Sequence, residues 1–146
     1  MNKGITLIEV VIVIALTLTF AGMGITSFIS YQETMESAGV AGELLDDLKR
    51  AKQMSIAQQV RHGLEFNFSE NSYQIVKYEE EEIVLEEKKI DSGLNIESPD
   101  NFTDVKFNHF GAVFGSREIL LQGEDFEKNI KIRPSGFIDV ERNNLN

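Results

Sequence analysis

The chain has 146 residues, with 24 acidic against 14 basic side chains and a formal net charge of −10. That balance argues against a general affinity for nucleic acid or anionic lipid headgroups. The absence of cysteine excludes a disulfide framework and any thiolate metal site, and the length suits one domain plus an N-terminal helix.

The chain opens Met1-Asn2-Lys3-Gly4-Ile5-Thr6-Leu7-Ile8-Glu9, and from Val10 to Ile29 it carries no charge. About 20 residues at roughly 1.5 Å each reach about 30 Å, the thickness of a bilayer's hydrocarbon core. The run is too long for a secretory signal peptide and is followed by no clean A-x-A cleavage site. A plain single-pass anchor would fit, except for Glu9. A carboxylate in hydrocarbon costs about 2.5–3.5 kcal/mol and marks a site whose partner must be found. Cutting after Gly4 would create that partner, because the new α-amino group of Ile5 would lie one helical turn from Glu9.

Lys3-Gly4 followed by Ile5-Thr6-Leu7-Ile8-Glu9 and a long apolar run resembles the processing site of type IV pilins and pseudopilins. The resemblance implies a leader of residues 1–4, removed by a prepilin peptidase between Gly4 and Ile5, with methylation of the Ile5 amine. It further implies that Glu9, set among Thr6, Leu7 and Ile8, pairs with the N-terminal amine of a neighbouring subunit during assembly. In a low-dielectric bundle such a pair attracts strongly, and each charge alone is costly. Two positions depart from the family. Ile5 stands where Phe is usual, and Thr26 stands where many pilins carry Pro. Gly22 and Gly24 are then the helix weakeners, each costing about 1 kcal/mol relative to Ala.

Residues 5–30 read as a transmembrane or filament-core helix, with Phe28 and Tyr31 placed for an interface, and 31–62 as its amphipathic continuation. Val40, Leu44, Leu48, Ala51 and Ser55 form the inward stripe, flanked by Leu45, Met54 and Ile56. Asp46, Asp47, Lys49, Arg50 and Lys52 line the remainder. Basic residues followed by glycine predict a helix end near Arg61-His62-Gly63, with His62 as a cation at the helix dipole. From 63 to 146 the period changes to alternation, which predicts an antiparallel β head domain. The predicted strands fall at Leu64–Phe68, Tyr73–Tyr78, Ile83–Ile90, Leu94–Ile96, Val105–Phe107, Ala112–Phe114, Glu118–Gln122, Asn129–Ile132 and Phe137–Val140. The fold class is α+β, a long N-terminal helix packed on one or two antiparallel sheets.

Three further segments resemble H-type minor pseudopilins, the group that includes fimbrial T-type minor pilins. They are Leu48-Lys49-Arg50-Ala51-Lys52-Gln53-Met54-Ser55-Ile56-Ala57, Phe107-Asn108-His109-Phe110-Gly111, and the closing run Ile130-Lys131-Ile132-Arg133-Pro134-Ser135-Gly136-Phe137-Ile138. The order Arg50-Ala51 inverts the Ala-Arg order of that group.

No hydrolytic motif is present, and no nucleophile stands beside a base. The chain reads as a structural subunit that needs no cofactor. Glu79 to Glu82 with Glu86 and Glu87, and Asp100-Asn101 with Asp104, are acidic enough to consider for calcium. The simpler reading is a solvated strand edge and an ordinary loop, so no metal site is expected. His109 has no ligand partner at useful spacing. Lys128, Lys131 and Arg133 are candidates for a nucleic-acid contact, a function that the resemblance to fimbrial T-type proteins raises. Glu124, Asp125, Glu127, Asp139 and Glu141 around them weigh against it.

The expected partners are therefore the prepilin peptidase, other pilins or pseudopilins through the N-terminal helix, and the membrane. The expected location is the bacterial inner membrane, with the head outside the cytoplasm, and then a pilus, a type II secretion pseudopilus or a DNA-uptake filament. The alternative is an uncleaved, membrane-anchored extracytoplasmic binding domain.

Overall fold

The computed structural model describes residues 6–90, 93–124 and 126–142, without the side chains of 23–27, 30, 33 and 142. Gly4, Ile5, Gly24 and Thr26 therefore lie outside the described residues or side chains. One helix, α1 (Leu7–Gln58), precedes eight strands. The chain divides into two units, one ending at Met35 and one beginning at Glu36.

In the second unit, Ala41, Leu44, Leu48, Ala51 and Ser55 of α1 are all fully buried. Their three- and four-residue spacing is that of one helix face. Ala41 takes the place expected of the half-buried Val40, and Asp47 is buried too. α1 ends at Gln58, and Gln59 takes a left-handed backbone at φ 57°. This corrects the expected end at Arg61–Gly63. Those residues instead open strand β1 (Arg61–Asn67), and no basic residue lies in the last helical turn.

His62 consequently lies in strand β1 and is fully buried, away from the helix end expected for it. Its backbone N–H donates to Ser55 Oγ at 3.0 Å, and its Nδ1 lies 2.9 Å from the Val60 carbonyl. Gly63 is required by the sheet, since a Cβ there would stand 2.2 Å from the Val105 carbonyl oxygen.

The strands are β1, β2 (Ser72–Tyr78), β3 (Glu82–Lys89), β4 (Asn95–Glu97), β5 (Asp104–Phe107), β6 (Arg117–Gln122), β7 (Glu127–Ile132) and β8 (Ile138–Arg142). They form two four-stranded antiparallel sheets, ordered β3-β2-β1-β5 and β4-β6-β7-β8. The expected strand at Ala112–Phe114 is reduced to one bridge, Phe107 to Val113. Two turns there bring positive-φ glycines into contact, and a Cβ on Gly136 would overlap the Gly111 carbonyl.

Leu64, Phe66, Ile75, Val105 and Phe107 of the first sheet share one core with Ile96, Ile119, Leu121, Ile130 and Ile132 of the second and with the helix face. Asn71 ties the two sheets together. Its backbone is left-handed (φ 52°), and its side-chain amide donates to the carbonyls of Ile90 and Leu94. Its Oδ1 accepts the Ile96 N–H at 2.9 Å.

Candidate assembly segment

Thr6 stands at the helix N-terminus as its cap. The Glu9 N–H lies 3.1 Å from the Thr6 carbonyl oxygen and 3.4 Å from its hydroxyl, and the Val10 N–H lies 3.3 Å from the same carbonyl. Thr6-x-x-Glu9 is the sequence of a capping box, in which the hydroxyl satisfies an orphan N–H of the first turn. Glu9 is the acidic residue of that turn, where the helix dipole favours negative charge. In the sequence Thr6 stands with Glu9 in the assembly motif, and the S/T-x-x-E spacing is the sign of the cap.

The rest of this segment is apolar on every side. Leu7, Ile8 and every apolar residue larger than alanine from Val10 to Phe20 expose between 45% and 83% of their surface. A helix apolar all round requires a non-aqueous environment or a packed bundle. Thr17 and Thr19 do not break that character, because their hydroxyls donate to the carbonyls of Val13 (2.7 Å) and Ala15 (2.8 Å). Among the described residues no helix is long and apolar enough to cross a membrane. The uncharged stretch Val10–Ile29 includes side chains 23–27, which lie outside them.

The other candidates sit in the second unit. Lys128 and Lys131 lie on opposite faces of β7, as alternation along a strand requires. Lys131 is 3.2 Å from Glu141 and 3.7 Å from Glu118, and Arg133 is 3.0 Å from Asp139. The three basic residues thus form no single positive surface. Among the described residues no group of three or more His, Asp or Glu is placed to hold a metal ion. Glu79 instead pairs with Lys77 at 2.6 Å, Glu86 with Arg50 at 2.8 Å, and Asp104 with Lys106 at 2.9 Å. The His109 ring lies tilted against that of Phe110, with centroids 4.0 Å apart.

The three short segments of the H-type resemblance meet in space. Lys52 Nζ donates to the Gly136 carbonyl at 2.8 Å, and Gly136 packs against Gly111.

No protein-family model matches the chain, and no curated protein matches it by sequence. Solved structures do match. The type IV minor pilin FimU of Pseudomonas aeruginosa aligns in two crystal forms. In one, identity is 15%, coverage is 71% of this chain and 91% of FimU, and the TM-score is 0.62. In the other, identity is 16%, coverage is 78% and 92%, and the TM-score is 0.63. The minor pseudopilin EpsH of the Vibrio cholerae type 2 secretion system aligns at 11% identity over 73% of this chain and 97% of EpsH, with a TM-score of 0.61. This chain has the fold of the type IV minor pilins and minor pseudopilins.

Proposed function

We propose that the chain is a minor pilin or pseudopilin, a structural subunit made as a membrane precursor. A prepilin peptidase cuts it between Gly4 and Ile5, the Ile5 amine is methylated, and the N-terminal helix then packs among other pilin-type subunits. The observation that carries this reading is Glu9, an exposed carboxylate in the first turn of a helix whose surroundings are otherwise apolar. A pilin-like head on the same chain supports it.

The exposed apolar surface of Leu7–Phe20 needs a bilayer before assembly and neighbouring helices after it. Ile5 directly precedes the capping Thr6. A cleaved terminus would therefore place an ammonium at the positive end of the helix dipole, an unfavourable position on its own. A Glu9 carboxylate, its own or a neighbour's, offsets that cost.

FimU is a type IV minor pilin and EpsH a minor pseudopilin of a type 2 secretion system; that likeness of fold supports a filament of this class. Within it, the sequence resemblance of the segments around Lys52, Gly111 and Gly136 is the ground for placing the chain in the H-type group. Mass spectrometry of the subunit from the assembled fraction of its native host tests the proposal. The expected mass lacks residues 1–4 and carries one methyl group. An intact Met1 terminus in that fraction would sink it.

A further inference from the structure

Strand β3 is the outer strand of the first sheet. Its first half is bare on both faces. Ile83, Val84 and Leu85 are 44%, 51% and 42% exposed, although consecutive residues of a strand point to opposite sides. Leu85 is the extra residue at a register shift, since Val76 pairs with Val84 and Ile75 with Glu86. The second half is moored to α1. Lys88 reaches Glu43 (2.7 Å) and Asp47 (2.8 Å), and Glu86 meets Arg50. The strand is thus held at one end and presents an apolar triplet on an unpaired edge at the other.

Carboxylates flank the triplet on both sides, Glu79–Glu82 before it and Glu86-Glu87 after it. Glu79, Glu80 and Glu81 line an open groove with Tyr78 and Ile83. These charges discriminate among partners. A second copy pairing antiparallel about Val84 would keep the triplets opposed, but next to them it would set Glu82 against Glu86 and Glu81 against Glu87; the opposite-charge pairs Glu80 with Lys88 and Glu79 with Lys89 lie farther out, and Lys88 is already held by Glu43 and Asp47. Like charges directly opposite destabilise a ladder. Glu79 is shared with Lys77 and Glu86 with Arg50 and Lys88, so chiefly Glu80–Glu82 on one side and Glu87 on the other attract a strand that carries lysine or arginine beside an apolar centre.

We propose that this edge accepts an extended segment of another protein, apolar at its centre and basic at its flanks, as a fifth strand of the first sheet. Main-chain hydrogen bonds to β3 supply affinity, and the carboxylates set register and exclude self-pairing.

The test uses the full chain in non-ionic detergent micelles and two synthetic peptides. One has a Val-Ile-Val centre flanked by paired lysines, and its twin has glutamates in their place. The lysine peptide is expected to bind about tenfold tighter or better, to weaken with added salt, and to slow amide exchange across Ile83–Glu87. The double variant Glu81→Lys with Glu82→Lys alters two exposed positions. It should keep the circular dichroism spectrum and lessen the preference without reversing it, because Glu79, Glu80, Glu86 and Glu87 remain. Equal affinity for both peptides overturns the proposal, as does binding without protection of β3, or no binding of the lysine peptide at about 1 mM. Concentration-dependent protection of β3 without any peptide would show self-pairing and overturn it as well.

Discussion

Inside the head, the Tyr73 hydroxyl donates to the Asp47 carboxylate at 2.8 Å, joining the helix to the sheet across 26 positions of sequence. Asp47 is only 5% exposed and also accepts from Lys88 Nζ at 2.8 Å. Removing the carboxylate strands the buried Tyr73 hydroxyl and leaves Lys88 with Glu43 and Glu86 alone, so Asp47→Ala should cost about 2–3 kcal/mol. Arg50→Ala breaks only the exposed pair with Glu86 and should cost less than about 1 kcal/mol. Urea unfolding of the two variants, followed by circular dichroism of the full chain in detergent, checks the ranking. Equal losses would show that Asp47 contributes no more than a surface charge.

The same cluster predicts how stability depends on pH. Burial raises the pKa of Tyr73, and its hydrogen bond to Asp47 raises it further. Burial and the bond to Glu65 raise that of Tyr78. Burial acts against the charge of Lys88, but hydrogen bonds to Asp47 and Glu43 outweigh it and hold its pKa high. All three shifts are upward, so the folded chain keeps protons that the unfolded chain releases. The stabilisation is complete below the unfolded values of about 10 and is lost as pH rises beyond them. Urea midpoints should fall steadily above about pH 10, and in a Tyr31→Phe background the tyrosinate absorbance of Tyr73 and Tyr78 should rise with unfolding rather than ahead of it. Tyr73→Phe should flatten part of that fall.

Several of these relationships were not legible in sequence. Alternation located β1, β2, β6 and β7 because each buries one face. The helix face from Leu44 to Ser55 was legible from its spacing. Asp47 read as one more outward charge because its partners, Tyr73 and Lys88, lie far along the chain. Arg61-His62-Gly63 resembles a helix end in composition. The competing demands, a glycine against the Val105 carbonyl and an inward imidazole, come from β5 and from the helix's own Ser55. Near the N-terminus the reverse holds. Thr6 and Glu9 are close enough in sequence for the capping geometry to be readable, and the pairing proposed for Glu9 was legible only through a resemblance.

Asn71 is a second residue whose weight exceeds its appearance as a turn residue. It combines a left-handed backbone with hydrogen bonds to Ile90, Leu94 and Ile96. Asn71→Gly keeps the backbone easy and deletes the side-chain bonds, at about 1 kcal/mol each net. Asn71→Ala adds the cost of holding an alanine at positive φ, of order 1 kcal/mol. Thermal unfolding should therefore rank wild type above Gly and Gly above Ala. Amide exchange should accelerate first at Ile96, whose N–H loses the Asn71 side-chain oxygen, and less at Ile90, whose N–H is held by the Asn71 backbone carbonyl.

Glu9 and Thr6 separate the capping role from the assembly role. Thr6→Ala removes the cap hydroxyl and should loosen only the first turn of α1, at about 1 kcal/mol. A filament interface that buries many apolar side chains tolerates a loss of that size. Glu9→Gln preserves shape and helix propensity but removes the charge that the proposed neighbour's amine requires. In a filament assay, Glu9→Gln should abolish incorporation while Thr6→Ala retains most of it, with cleavage at Gly4–Ile5 intact in both. Far-ultraviolet circular dichroism should show an unchanged head in each. Wild-type incorporation of Glu9→Gln would refute the charge pairing and leave the uncleaved anchor as the better description, provided that the same fractions also keep Met1.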